Sequence, residues 1–319
     1  VVAKPLRPYR PAEKYVLDQY IMHGGNVVFM IDALTTDMSR AGGLGTIAES
    51  VDHQLDDLLF RYGIRLNDDY LQDIQNFGRY PVVLDGAEDV INLPWPFYAS
   101  VNQFTRHPIT KNLDAVYARF FGTIDTVKAE GVNKTALMRT SPYTRVFSSP
   151  ARVAFEDYAN QPDVALYNHG EESVAYLLEG NFTSLFRNRV LPDSIDKTYF
   201  LDRGMPAKLV VVSDGDLMRN EKNLSTGAPY ELGYNPFAEQ GEKLKYANRD
   251  FLFNALAYLA DENGVITSRK KEITLRPLDR VKIQQAKTYW QLLNMIAPLA
   301  ALLCFGLIRG YWRKRTYAR

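Results

Sequence analysis

Blocks of hydrophobic and polar positions along the chain predict helices that alternate with fully buried strands. Apolar residues recur at helical spacing over residues 11–22, after a proline and next to an acid that favour a helix start, and a glycine pair at 24–25 ends the segment. Residues 26–32 then form a continuous apolar run, the pattern of a strand covered on both faces. Together with the short apolar run at residues 1–3, these segments predict a βαβ unit.

The same pattern returns further along the chain. It predicts a helix at 51–62, an edge strand at 80–84, a second buried strand at 208–213 and a helix at 247–260. Residues 88–150 are rich in proline, aromatic and turn-forming residues, so only short strands are expected there. The sum predicts an α/β domain over residues 1–264 built on an open, mostly parallel sheet, followed by an extended linker and juxtamembrane segment over 265–288.

The last thirty residues predict a membrane span. Tyr289 to Ile308 contain no formal charge, and twenty residues of helix extend about 30 Å, the thickness of the hydrocarbon core of a bilayer. Aromatic side chains flank the run and would lie at the headgroup level: Tyr289, Trp290, Tyr311 and Trp312. We predict a transmembrane helix over 289–310, with Pro298 tolerated inside it. A buried core helix is the alternative, which the flanking aromatic and basic residues disfavour.

Cations follow the span, and they predict its orientation. They are Arg309, Arg313, Lys314, Arg315 and Arg319, with no acid among them. The positive-inside tendency places this basic tail, residues 311–319, in the cytoplasm and the bulk of the chain in the periplasm. Residues 1–5 read as the end of a strand, and an exported domain needs a route across the membrane. We therefore expect an N-terminal part with its own membrane segment to precede residue 1.

Charge and cysteine usage exclude several function classes. The chain has 38 Lys and Arg against 37 Asp and Glu, and residues 1–288 carry a net charge of −4 once the five cations of the tail are set aside. Nucleic-acid binders concentrate basic residues on one face, so no nucleic-acid partner is expected. The single cysteine, Cys304, lies inside the predicted span. The preceding domain therefore has no disulfide, no thiol nucleophile and no cysteine metal site.

Polar residues at the ends of the two buried strands are the candidate site. Asp32 ends the first strand, and Ser213, Asp214 and Asp216 follow the second. In open α/β sheets ligands collect at the carboxyl ends of the strands, where such groups can bind a cation, a sugar or an amine. Turns and helix caps use the same residue types, and this is the favoured alternative. We predict no catalytic constellation, no metal site and no cofactor.

Five ordered segments resemble a known family. They are YVLDQYIMHGGNVVFMID, LDDLLFRYGIRLNDDYLQD, KLVVVSDGDLMRN, NRDFLFNALAYLADENGVITSRKKEITLRPLD and YWQLLNMIAPLAALLCFGLIRGYWRKR. Together they look like GldG, the gliding-motility-associated ABC transporter auxiliary (substrate-binding-like) family of Bacteroidetes. The resemblance implies a non-catalytic, periplasm-facing subunit of the inner membrane that works with a multi-span permease and a cytoplasmic ATPase. It also implies a core similar to the class I glutamine amidotransferase-like fold, without the nucleophilic cysteine of that class.

Two functional hypotheses remain open at this stage. The first is a transporter accessory or scaffold, which could use the aromatic run Trp95–Tyr98 as a contact surface. The second is a periplasmic ligand- or glycan-binding module, or a hydrolase, that uses Asp32, Asp214 and Asp216. Convergence of these three carboxylates in one concave site would favour the second hypothesis, and separate exposed turns would favour the first.

Overall fold

The computed structural model describes residues 1–75, 77–83, 90–159, 162–191, 198–223, 225–238, 244–261 and 279–317. The chain divides into two compact units, Val1–Leu275 and Arg276–Arg319. Most of the predicted linker at 265–288 lies outside the described residues, as does Arg319.

The elements of the first unit follow one another along the chain. In order they are β1 (Val2–Ala3), α1 (Pro11–Met22), β2 (Val27–Met30), β3 (Leu34–Thr35), β4 (Thr46–Ser50), α2 (Asp56–Tyr62), β5 (Ile64–Leu66), β6 (Asp69–Asp73), β7 (Phe77–Val82), β8 (Ile91–Val101), β9 (Gln103–Phe104), β10 (Val116–Arg119), β11 (Ile124–Thr126), β12 (Val132–Arg139), β13 (Thr144–Ser148), β14 (Ala151–Val153), β15 (Ser173–Thr183), β16 (Arg203–Val212) and α3 (Asn248–Ala260).

The central sheet is mixed rather than mostly parallel. Its six strands lie in the order β1-β2-β16-β15-β12-β9. β1 and β16 flank β2 in parallel, which confirms the βαβ unit around α1. The other pairings are antiparallel. Antiparallel neighbours need no crossover helix, and the consecutive strands β15 and β16 pair directly. The mostly parallel sheet and the amidotransferase-like fold are therefore not confirmed.

Side chains of the two central strands alternate between two hydrophobic cores. Val28 and Val210 face one core, where Phe251 of α3 packs against the sheet. Phe29 and Val211 face the other, which α1 and α2 cover. Period-two alternation with apolar residues on both faces produces the unbroken runs seen in the sequence. The prediction that both strands are covered on both sides is thus confirmed.

Residues 88–150 contain long strands, against the expectation of short ones. β8 has eleven residues and lies between β7 and β10, so β7 is an edge strand as its Pro81 indicates. Trp95, Phe97 and Tyr98 of β8 are buried in a third, aromatic core. The run Trp95–Tyr98 is therefore not an exposed contact surface. Its rings pack on one another and on the elements that follow, at centroid distances such as 5.1 Å between Trp95 and Phe97.

Predicted helices match the structure except at one boundary. α1 begins at Pro11, and α3 lies one residue inside the prediction. α2 begins at Asp56 instead of residue 51, because a turn at 51–55 uses the local backbone: the His53 amide donates to the Val51 carbonyl, and the Leu55 amide to His53 Nδ1. Gly63 ends α2 with a φ of 102°, which glycine adopts without a steric cost.

The second unit consists of α4 (Arg280–Gln285) and α5 (Lys287–Tyr317). α5 contains Pro298, has 31 residues, and extends about 46 Å at 1.5 Å per residue. Among the described residues it is the one helix that is long and apolar enough to cross a membrane. The predicted terminal helix is therefore present.

Candidate functional site

Three parallel strand ends build the candidate site. β1, β2 and β16 run in the same direction, so their carboxyl ends meet at one edge of the sheet. Lys4 follows β1 and donates its backbone amide to the Met30 carbonyl at 2.8 Å. Asp32 follows β2, and Asp214 and Asp216 lie in the 3₁₀ turn after β16. The structure thus brings the three predicted acids together and adds a lysine.

The Lys4 ammonium lies between two carboxylates. Its Nζ is 2.9 Å from Asp32 Oδ2 and 2.7 Å from Asp216 Oδ2. The two acidic side chains are 11% and 9% exposed, whereas the lysine side chain is 40% exposed. The Gly215 amide donates to Asp32 Oδ1. Asp216 Oδ1 is buried without a hydrogen-bond donor among the described residues, and the Arg219 guanidinium lies 3.6 Å away. One face of the acid cluster is therefore neutralised by a single partly exposed cation.

Asp214 is buried, and its carboxylate accepts backbone amides instead of facing an open cavity. Its Oδ2 accepts the Arg119 amide at 2.7 Å, and its Oδ1 accepts the Asp216 amide at 2.7 Å, which caps the 3₁₀ turn. Burial raises the pKa of Asp214 well above its usual range, and the charges of Asp32 and Asp216 raise it further. Burial also raises the pKa of Asp32, against the opposing effect of Lys4.

Ser213 is not part of the acid cluster. Its side chain is buried, and its hydroxyl donates to the Gly122 carbonyl at 2.6 Å. Its amide donates to the Val174 carbonyl at 3.1 Å. This serine ties the end of β16 to two neighbouring segments and has a structural role here.

Sequence reasoning missed Lys4, although a signal was present. The residue directly follows the short first strand, and parallel pairing with β2 places its side chain at the same sheet edge as Asp32. It also missed Arg119, whose buried guanidinium forms an ion pair with Glu221 and lies over the ring of Tyr98 at 5.3 Å. Both cations are structural partners of the strand ends.

The chemistry open to this cluster is limited by its partners. The ammonium group occupies the place between Asp32 and Asp216 that a bound cation would take. No group of three or more His, Cys, Asp or Glu side chains within the described residues is arranged to hold a metal ion. The strongly raised pKa of Asp214 would suit a proton donor, but both of its oxygens already accept backbone amides.

The predicted membrane-anchor residues all lie on α5. Tyr289 and Trp290 stand near its start with their rings edge-on at 5.4 Å, Pro298 lies inside it, and Tyr311 and Trp312 lie near its end. The cations predicted to set the topology occupy its last turns, namely Arg309, Arg313, Lys314 and Arg315. The anchor residues have exposed side chains, as a lipid-facing helix requires.

Comparison with known proteins gives one match. A family model described as an ABC-type uncharacterized transport system matches residues 1–255, which comprise β1 through most of α3. Neither a curated protein nor a solved structure matches the chain.

Proposed function

We propose that the chain, which belongs to the family of ABC-type uncharacterized transport systems, is a non-catalytic auxiliary subunit. In this proposal α5 anchors it in the inner membrane. The family makes the chain an auxiliary component of such a system. The uncharged run and flanking aromatic residues of α5 support the anchor, and the basic tail supports a periplasmic position for residues 1–264.

The proposed partners are a multi-span permease and a cytoplasmic ATPase. Residues 1–319 contain no phosphate-binding loop, so in this proposal the energy for transport comes from another subunit. The five segments similar to the gliding-motility-associated family support a role of the complex in gliding. A periplasmic domain on a short anchor could pass force or substrate between the permease and the cell exterior.

The observation that carries the non-catalytic assignment is the lysine at the strand ends. Catalytic carboxylates need access to substrate and a free lone pair or proton. Lys4 forms ion pairs with one oxygen of Asp32 and one oxygen of Asp216, and backbone amides occupy both oxygens of Asp214. The cluster therefore joins β1, β2 and the turn after β16, and its role is structural.

Conservative variants test this assignment. Asp32→Asn and Asp216→Asn keep the side-chain shape but remove the charge, and Asp157→Asn in an exposed ion pair is the matched control. Each variant is expressed in the native host in place of the wild-type chain. We expect normal gliding and normal co-purification of the permease with all three. Lost gliding with intact co-purification, in Asp32→Asn or Asp216→Asn alone, would contradict the proposal.

The same experiment tests a second candidate, a periplasmic ligand- or glycan-binding module or a hydrolase. The convergence of Asp32, Asp214 and Asp216 at one sheet edge favours it, as does the donor-free oxygen of Asp216. A ligand amine or hydroxyl that displaced Lys4 would find two carboxylates side by side. Selective loss of function in the Asn variants is the result that this candidate predicts.

A further inference from the structure

A second concave surface lies apart from the strand-end cluster. It is a groove of about 660 Å³ between α2, β5 and the turn that follows β15. Ligand pockets typically enclose 300–1,000 Å³ and combine apolar walls with a few polar groups. This groove has that composition: Phe60, Leu66 and Leu185 supply apolar surface, and arginine and aspartate side chains form the remaining walls.

The helical period of α2 directs these side chains into the groove. Leu58, Leu59 and Tyr62 face the core, whereas Asp56 and Phe60, one turn apart, lie on the opposite face. The Phe60 side chain is 52% exposed although it belongs to a short, well-packed helix. An exposed phenylalanine beside buried Leu66 and Leu185 makes an apolar patch inside a charged rim.

Some of the arginines that line the groove already have partners, and others do not. Arg65 forms an ion pair with Asp125, and Arg189 contacts Asp57 at 2.9 Å. Arg187 has a single long contact, 3.7 Å from Asp202. Arg61 has no ionic or hydrogen-bond partner among the described residues. The guanidinium groups of Arg61 and Arg187 are therefore available to a carboxylate, which arginine can bind through two parallel hydrogen bonds.

The aspartates that line the groove also differ in how well they are paired with cations. Asp57 is neutralised by Lys14 at 2.8 Å as well as by Arg189. The Asp56 side chain is 67% exposed, and its one ionic contact among the described residues is His53, at 3.8 Å, whose pKa is lowered by burial. Burial raises the pKa of Asp56, and repulsion from Asp68 adds to this effect. A positive ligand group beside Asp56 and Asp68 would relieve that repulsion.

We propose that this groove binds a short peptide with free termini. Its carboxylate would pair with Arg61 and Arg187, its ammonium group with Asp56 and Asp68, and an apolar side chain would cover Phe60. The aspartates would repel a polyanion such as a phosphorylated sugar, and the arginines would repel a polycation, so a lining with both signs of charge favours a zwitterion. The site gives the auxiliary subunit a ligand of its own, and it does not depend on the proposed role in assembly.

Calorimetric titration of the full chain in detergent tests the site. The probe is the tripeptide Ala-Leu-Ala, compared with its N-acetylated and its C-amidated forms. A hydrogen-bonded charge contributes about 1.5–3 kcal/mol, so we expect saturable binding of the free peptide and a loss of about 10- to 100-fold when either terminus is blocked. Unsaturable binding of the free peptide, or equal binding of all three, overturns the proposal.

Substitutions in the groove test which side chains bind each terminus of the peptide. Arg61→Gln should weaken binding of the free peptide at least tenfold and reduce the effect of C-amidation, because only Arg187 remains to bind the carboxylate. Asp68→Asn should likewise weaken binding and reduce the effect of N-acetylation, because only Asp56 remains to bind the ammonium group. Arg152→Gln, in an exposed ion pair with Asp157 elsewhere on the surface, is the control and should bind like the wild type. Wild-type affinity in both groove variants, with unchanged melting temperatures, would also overturn the proposal.

Discussion

Replacing Lys4 by methionine removes the cation from the strand-end cluster and keeps the volume of the side chain. Breaking a buried ion pair costs about 3–5 kcal/mol, because the remaining charge loses its compensation. An exposed pair contributes about 0–1 kcal/mol. Lys4 lies between these limits: its side chain is 40% exposed, but both carboxylates are about nine-tenths buried. We therefore expect Lys4→Met to lower the free energy of unfolding by about 2 kcal/mol, or the melting temperature by about 4–8 °C.

The pH dependence of this loss provides a second, sharper expectation. Burial and the charge of Asp216 already raise the pKa of Asp32 in the folded chain, and removal of Lys4 raises it further. A group whose folded-state pKa is above its unfolded value of about 3.9 loses its contribution to stability as the pH rises through the folded-state value. The destabilisation by Lys4→Met should therefore be larger at pH 8 than at pH 5.

Differential scanning calorimetry of the detergent-solubilised chain at both pH values measures the effect. Arg152→Met is the matched control, since its ion pair with Asp157 is exposed and should contribute less than about 0.5 kcal/mol. Lys4→Met/Asp216→Asn should recover part of the loss, because it removes one of the two uncompensated carboxylates. An unchanged melting temperature in Lys4→Met at pH 8, or a larger loss at pH 5, would refute the reasoning.

Further predictions concern the core and the anchor. Val211→Asp should lower stability by about 4 kcal/mol in denaturant titrations, because it buries an unpaired charge in the central sheet; Val16→Asp on the exposed face of α1 is the control. Asp18→Ala should cost about 3 kcal/mol, since the buried carboxylate accepts bonds from the Tyr62 hydroxyl, the Ser184 hydroxyl and the Leu185 amide. Pro298→Ala should leave membrane insertion unchanged, as measured by carbonate extraction. A reporter that is active only in the periplasm should be silent when fused after the last residue; activity there would reverse the topology.

Local signals in the sequence predicted the elements better than their arrangement. The apolar runs of β2 and β16 correctly indicated strands covered on both faces, as the two cores around Phe29 and Val210 show. Such a run reports burial and carries no information on strand direction. β15 forms antiparallel pairs with both β12 and β16, and β13 and β14 separate β12 from β15 in the chain. A run such as Val174–Leu178 fits a buried helix as well as a strand.

The prediction that the aromatic run Trp95–Tyr98 is an exposed contact surface was wrong for a related reason. Pro94 and Pro96 make β8 hard to recognise as a strand from the sequence. The strand nevertheless pairs with β7 and β10, and its Trp95 and Phe97 are buried in the aromatic core. Whether such rings are buried or exposed is decided by what packs on them, which is a tertiary property.

The sequence predicted where the candidate site lies, and it did not predict that a lysine pairs with the carboxylates there. The buried runs of β2 and β16 each end in polar residues, and the parallel pairing of the two strands in the structure brings Asp32, Asp214 and Asp216 to one edge. Lys4, the cation of the cluster, directly follows β1, and this two-residue strand is too short to be recognised with its register. The groove beside α2 was also not predictable, because its walls come from segments more than 100 residues apart.

Co-purification from native membranes tests most directly whether this chain works by assembly with a transporter. The full chain carries a C-terminal affinity tag and is purified in mild detergent, and the bound proteins are quantified by mass spectrometry. A variant that lacks residues 287–319, which removes α5, is the control for the anchor. The account predicts that a multi-span permease and a cytoplasmic ATPase co-purify in fixed ratio with the full chain and are lost with the truncated one. Recovery of the full chain from the membrane without either subunit would contradict it.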